Sequence, residues 1–169
     1  MDANLLISEL AAGGQIIKTL LEGFTQAEAQ ARPEALAWSA LEVVCHLYDE
    51  EREDFRQRLE YTLLKPGVEW PPIDPGGWVT LRHYNERFIA EALAGFLAER
   101  GRSLAWLRSL QNPDWEASHT TSFGSMKAGD LLAAWVAHDN LHTRQLVELR
   151  RSRLVQLTQP YDVRYAGDW

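Results

Sequence analysis

The sequence predicts an all-α fold: a four-helix bundle with long loops between helices 2 and 3 and between helices 3 and 4. Three observations predict it. Long stretches are rich in Ala, Leu, Glu and Arg, all good helix formers. The chain's breakers are clustered, most densely at Pro66, Gly67, Pro71, Pro72, Pro75, Gly76 and Gly77, with further breaks at Gly23, Pro33, Pro113, Gly124 and Pro160. No segment alternates apolar and polar residues for long enough to read as a strand. At 169 residues the chain is one domain's worth. It is large enough to bury a core without a disulfide or a metal.

The first predicted helix covers 3–22, with Leu6, Leu10, Ile17, Leu20 and Leu21 on one side. Its Gly13-Gly14 pair costs about 1 kcal/mol per glycine, which marks either a kink or a close helix contact. The second covers 39–64 and opens on a capping box, Ser39-Ala40-Leu41-Glu42, with Trp38 and Val43 at the staple positions. It stops before Pro66 and would be roughly 40 Å long at the standard helical rise. The third covers 80–110 and is closed by Asn112-Pro113; the fourth covers 126–151. The bundle domain thus occupies 1–151, and 152–169 is a partly ordered C-terminal extension. The 24–38 connection holds Pro33, the 66–79 connection holds Trp70 and Trp78, and the 111–125 connection carries Trp115, His119 and Phe123. Loops of such length in a compact domain tend to be functional.

Composition excludes several classes. Seventeen Lys and Arg against 24 Asp and Glu give a net charge of −7, which argues against gripping a phosphate backbone. No nucleic-acid partner is therefore expected. A single cysteine, Cys45, permits no intrachain disulfide. No basic and apolar leader is visible, and no apolar run approaches the ~18 residues of a membrane span. The expectation is a soluble cytoplasmic domain.

The five histidines carry the chemical signal. His138 and His142 stand four apart, which on a helix places them one above the other. Leu131, Trp135, His138, His142, Gln145 and Leu149 step by alternating fours and threes, an a/d stripe with two imidazoles in its middle. Burying both rings requires partners for four nitrogens. Either the protein satisfies them as core histidines, or a metal takes two of them at once. A metal needs at least a third protein ligand. His46, His83 and His119 are the candidates, and His46 is preferred because its surroundings, Leu41 to Tyr48, are apolar on nearly all sides.

Trp38-Ser39-Ala40-Leu41-Glu42 followed by His46-Leu47, and then His138-Asp139-x-x-His142, resembles the DinB/YfiT superfamily over roughly residues 5–150. The resemblance implies a four-helix bundle with one histidine from the second helix and an H-x-x-x-H pair from the fourth. It assigns the metal-ligand role to His46, His138 and His142. It also implies a homodimer. Some members transfer low-molecular-weight thiols such as bacillithiol or mycothiol, so a small-molecule thiol is the implied substrate class. The residues disfavour two other metal motifs. Asp139 replaces the glutamate of H-E-x-x-H zinc proteases, and a di-iron bundle needs Glu-x-x-His on two helices.

Three neutral imidazoles leave a divalent ion its full charge and an open position, the catalytic pattern. Zinc, nickel and iron all suit such ligands. Glu50, one turn after His46, reads either as a general base or ring orienter, or as a solvated charge in the acidic run 49–54. Asp139 and Gln145 are further candidates to orient a ring. Arg100, on the inner stripe of the third helix, is either buried against a carboxylate or snorkels outward. Cys45 points about 100° away from His46 on a helix. The expected function is a metal-dependent transferase of the thiol type, or a hydrolase. The alternative is a non-catalytic metal-binding, stress-associated dimeric bundle.

Overall fold

The computed structural model describes residues 1–121 and 124–169; Phe123, assigned above to the third loop, lies outside them. The four long helices are α1 (Ala3–Leu21), a second helix built from α3 (Ala40–Glu50), a π-turn (Glu51–Phe55) and α4 (Arg56–Leu64), then α6 (Ile89–Ser109) and α7 (Ala128–Leu157). Short helices α2 (Gln26–Gln30) and α5 (Pro75–Leu81) sit in the first and second connections. A two-stranded antiparallel hairpin, β1 (Ser118–Thr121) and β2 (Gly124–Lys127), precedes α7, with His119 opposite Met126. Helix α1 packs chiefly on α7 and α6, α3 on α6, and α4 on α7.

The caps behave as their residues dictate. Ser39 accepts a hydrogen bond from the Glu42 N–H while the Glu42 carboxylate accepts one from the Ser39 N–H. Thr25 and Glu28 form a second capping box that starts α2. The predicted third helix departs most from its prediction. Residues 80–88 do not continue it: α5 ends at Leu81, His83 adopts a left-handed φ of 51°, and a 3₁₀ turn follows at Tyr84–Glu86. Helix α6 begins only at Ile89, whose N–H donates to the side-chain oxygen of Gln26. The fourth helix runs six residues beyond Arg151, to Leu157, and the chain beyond it folds back so that the Trp169 indole donates to Glu148.

The core has two apolar clusters. Ile17, Leu41, Val44, Leu47, Phe96 and Leu146 belong to one; Leu10, Leu59, Leu107, Leu132 and Trp135 belong to the other. On each of the four long helices a polar or minimal residue separates the two clusters along the chain. These are Gly13 and Gly14 on α1, Glu51 in the π-turn, Arg100 on α6 and Asp139 on α7. The Arg100 guanidinium uses all five of its N–H donors there. Nε and Nη2 donate to Glu51 at 2.9 and 2.8 Å. Nη2 and Nη1 donate to Asp139, and Nη1 also donates to the Leu10 carbonyl oxygen at 2.7 Å. The Trp135 indole donates to the same Glu51 at 3.0 Å. Arg100 is therefore buried against carboxylates and does not snorkel.

This layer explains the glycine pair. A Cβ on Gly13 would lie 2.5 Å from the Asp139 Oδ2, and one on Gly14 would lie 3.2 Å from the Arg100 Cγ. The pair is a close helix contact. Gly13→Ala is expected to destabilise the protein by about 1–3 kcal/mol, the usual cost of overpacking, despite alanine's better helix propensity. Chemical denaturation would show it as a lower midpoint at unchanged slope.

Candidate metal centre

The structure brings His46, His138 and His142 together, from α3 and α7. The His138 Nε2 lies 3.2 Å from the His46 Nε2 and 3.1 Å from the His142 Nε2, and ligand atoms of all three residues fall within 4.8 Å of one another. A divalent ion holding nitrogens at ~2.0–2.1 Å with tetrahedral angles would space them about 3.3 Å apart. The two separations from His138 therefore fit a common ligand sphere. His83 and His119 stand elsewhere. The side chain of His83 is 68% exposed beside Glu86, and His119 stacks on Trp70 with ring centroids 4.4 Å apart. Cys45 is buried with its thiol donating to the Tyr84 carbonyl oxygen, and burial pushes its pKa up to about 12. It is not a thiolate poised for a metal.

Each imidazole is oriented by its surroundings. The His142 Nδ1–H donates to the Gln145 Oε1 at 2.8 Å, which fixes that proton on Nδ1 and leaves the Nε2 lone pair facing the cluster. Gln145 thus does what its place on the stripe suggested, whereas Asp139 turns to Arg100. Trp38 lies against His46 at 4.9 Å between ring centroids and parallel to His142 at 6.3 Å. Phe55, from the π-turn, packs on His138 at 5.0 Å and stacks on Trp135 at 5.7 Å. The sequence reading gave Trp38 only a staple role and did not single out Phe55. The buried His46 Nδ1 finds no hydrogen-bond partner among the described residues.

His46 and His142 are each 5% exposed, and the His138 side chain is 20% exposed. Burial, followed by repulsion from His142, lowers the His46 and His138 pKa values from 6.5 to about 3. His142 is also lowered by burial, against the hydrogen bond to Gln145. All three rings are therefore neutral at pH 7, the form that binds metal. For folding, a depressed histidine pKa means that the unfolded chain takes up protons first as pH falls. Without metal, these groups are expected to contribute full stability above pH 6.5 and to lose it progressively toward about pH 3. Thermal unfolding at stepped pH would show a steeper acid-side decline in the wild type than in His138→Gln.

Glu50 is only 4% exposed, and its Oε2 lies 3.9 Å from the His138 Nε2. Burial raises its pKa to about 8, helped by the neighbouring Asp54 carboxyl, and its Oε1 finds no hydrogen-bond partner among the described residues. Burial also raises Asp54, against the attraction of Arg58. With its pKa at about 8, the Glu50 carboxyl holds a proton at neutral pH. Glu50 is not the solvated charge that its acidic neighbourhood suggested.

Fold and site together define a four-helix bundle that gathers three imidazoles from two helices into one internal cluster. The chain belongs to the DinB superfamily, whose family model matches residues 9–146. Among solved structures it is similar to YfiT from Bacillus subtilis, described as a probable metal-dependent hydrolase with an unusual four-helix bundle topology. That match has a TM-score of 0.78 at 21% identity, covering 88% of this chain and 86% of that one. At this identity the likeness is one of fold. No curated protein sequence matches the chain. No helix among the described residues is long and apolar enough to cross a membrane.

Proposed function

We propose that the chain is a metal-dependent enzyme acting on a small molecule, with His46, His138 and His142 as the protein ligands and Glu50 as the group that moves a proton. The observation that carries this reading is the convergence of three neutral Nε2 atoms next to a buried, protonatable carboxyl. YfiT, which shares the fold, is described as a probable metal-dependent hydrolase, and that supports hydrolysis. A thiol S-transferase is the second chemistry that such a centre serves. The ion is zinc, nickel or iron, all suited to imidazole. When bound, a divalent ion lowers the pKa of a coordinated water toward ~7 or holds a substrate thiol as thiolate.

The residues of the chain supply the rest. Gln145 keeps the His142 proton on Nδ1. Trp38 and Phe55 wall the cluster with apolar surface that excludes bulk water. Glu50 accepts or returns a proton beside His138, and the nearby Asp54 carboxyl helps to raise its pKa. The 20% exposure of the His138 side chain marks the side from which a substrate reaches the cluster.

Purified protein should contain close to one equivalent of a divalent metal by elemental analysis. It should then be screened for ester and amide hydrolysis, and for conjugation of electrophiles with several low-molecular-weight thiols. Glu50→Gln is expected to keep the metal and lose about 10²–10⁴-fold in kcat, the usual worth of general acid–base catalysis. A Glu50→Gln protein as active as wild type would remove Glu50 from the mechanism. A homodimer is part of this reading, and sedimentation equilibrium would test it.

A further inference from the structure

We infer that the buried ion layer of Arg100, Glu51 and Asp139 is a positioning device for the histidine cluster, with Arg100 as the positioning residue. The inference rests on the three-histidine metal reading for its ligand, and on the geometry of the layer for everything else. Arg100 is 3% exposed, Glu51 1% and Asp139 3%. A buried ion group of this kind is a poor device for stability, because its desolvation cancels most of its attraction. Packed hydrophobic residues would serve the core as well. What the layer provides is a fixed register between elements.

The register it fixes is that of the metal-binding residues. Asp139 directly follows His138 on α7, and Glu51 directly follows Glu50 at the start of the π-turn. The two consecutive carboxylates Glu50 and Glu51 thus serve different partners, His138 and Arg100. Trp135, one turn before His138, donates to Glu51 and stacks on Phe55, and Phe55 packs on His138. Arg100 holds both carboxylates with two bonds each, a forked geometry that resists sliding as well as separation. It also ties α1 to the same layer through the Leu10 carbonyl. The helix segment carrying His46 and Glu50 is thereby pinned to the segment carrying His138. An extra-wide helical turn, a feature often found at functional sites, lies at the junction.

The test separates positioning from folding. Glu51→Met, Arg100→Met and Asp139→Leu are combined in one protein, removing all three charges together. The triple variant is expected to unfold cooperatively at a temperature no lower than wild type. Its Co(II) affinity is expected to fall by about 10–100-fold, the usual effect of losing support behind the ligands. The visible absorption bands of bound Co(II) should also change in position or intensity. Arg100→Lys should show the same spectral change, because an ammonium cannot reproduce the fork. Ring nitrogen signals of the three histidines, recorded by NMR without metal, should shift in the same variants. Should the triple variant not fold, Asp139→Asn, which keeps the side chain's shape, carries the same measurements. Unchanged Co(II) affinity, spectrum and ring signals would overturn the proposal. A wild type that binds no Co(II) would instead refute the metal reading, and the metal-free ring signals would still decide whether Arg100 positions the cluster.

Discussion

His138→Ala is expected to abolish tight metal binding. His138 is the central ring of the cluster, since its Nε2 is the atom within 3.2 Å of each of the other two. Losing it leaves two protein ligands, one on each of two separate helices, and fewer than the three that an open catalytic site needs. The affinity should fall by more than about 100-fold, beyond the 10–100-fold loss usual for a supporting residue. Gln145→Leu provides the comparison, because it removes only the bond that orients His142. Isothermal titration with Zn(II) and Co(II) measures both. If His138→Ala retained wild-type affinity, the cluster would not be the metal site. The fold itself should survive the substitution, because the two apolar clusters are built from other residues.

The second large effect concerns Arg100. Arg100→Met alone removes the only cation bonded to Glu51 and Asp139 among the described residues, and leaves both carboxylates buried. Breaking a buried pair from one side costs about 3–5 kcal/mol, a large part of the 5–15 kcal/mol that a domain typically has. For a chain of this size that amounts to a fall in Tm of roughly 6–20 °C. The deficit should depend on pH. Burial already raises Asp139 above its ordinary value, held back by Arg100. Without the guanidinium its pKa rises further, and the folded state keeps a proton that the unfolded chain releases. Such a group contributes its stability at low pH and loses it as pH rises. The gap between Arg100→Met and wild type should therefore narrow as the solution is acidified toward 3.8, the ordinary value for an aspartate. A gap that widened in acid would mean that the carboxylates are not what the arginine serves.

Much of this site was legible in the sequence because its signals are local. The i,i+4 pair His138 and His142 falls on an apolar stripe whose period needs no tertiary information. The capping box at Ser39 places the start of the helix, and thereby the phase of His46. The residues that were not legible depend on contacts distant in sequence. Arg100 could be read only as buried or snorkelling, because its partners Glu51 and Asp139 lie 49 and 39 residues away. Glu50 sits in a run of charges that reads as solvent-facing, and only the tertiary fold buries it beside His138 of α7. The same limit shaped the fold. Residues 80–88 have ordinary helical composition, and what breaks the helix there is a left-handed His83 and a cap supplied by Gln26, 63 residues away. The Thr25–Glu28 capping box was a local signal, and it could have revealed α2. The hairpin before α7 has strands of only four residues each, too short for alternation to show.

The π-turn at Glu51–Phe55 has one further consequence, for the tolerance of this helix to insertions and deletions. A helix advances by about 100° per residue, so the wide turn shifts the phase of everything after it relative to a regular helix. Removing one residue from 51–55 would leave a sequence with equal or better helical propensity. It would also turn either His46 and Glu50 or Leu59 and Thr62 away from the interior. The length of this segment is therefore constrained as strictly as its composition. The exposed 66–69 stretch that follows, outside any helix or strand and before Trp70 stacks on His119, has no phase to keep and should accept added residues freely.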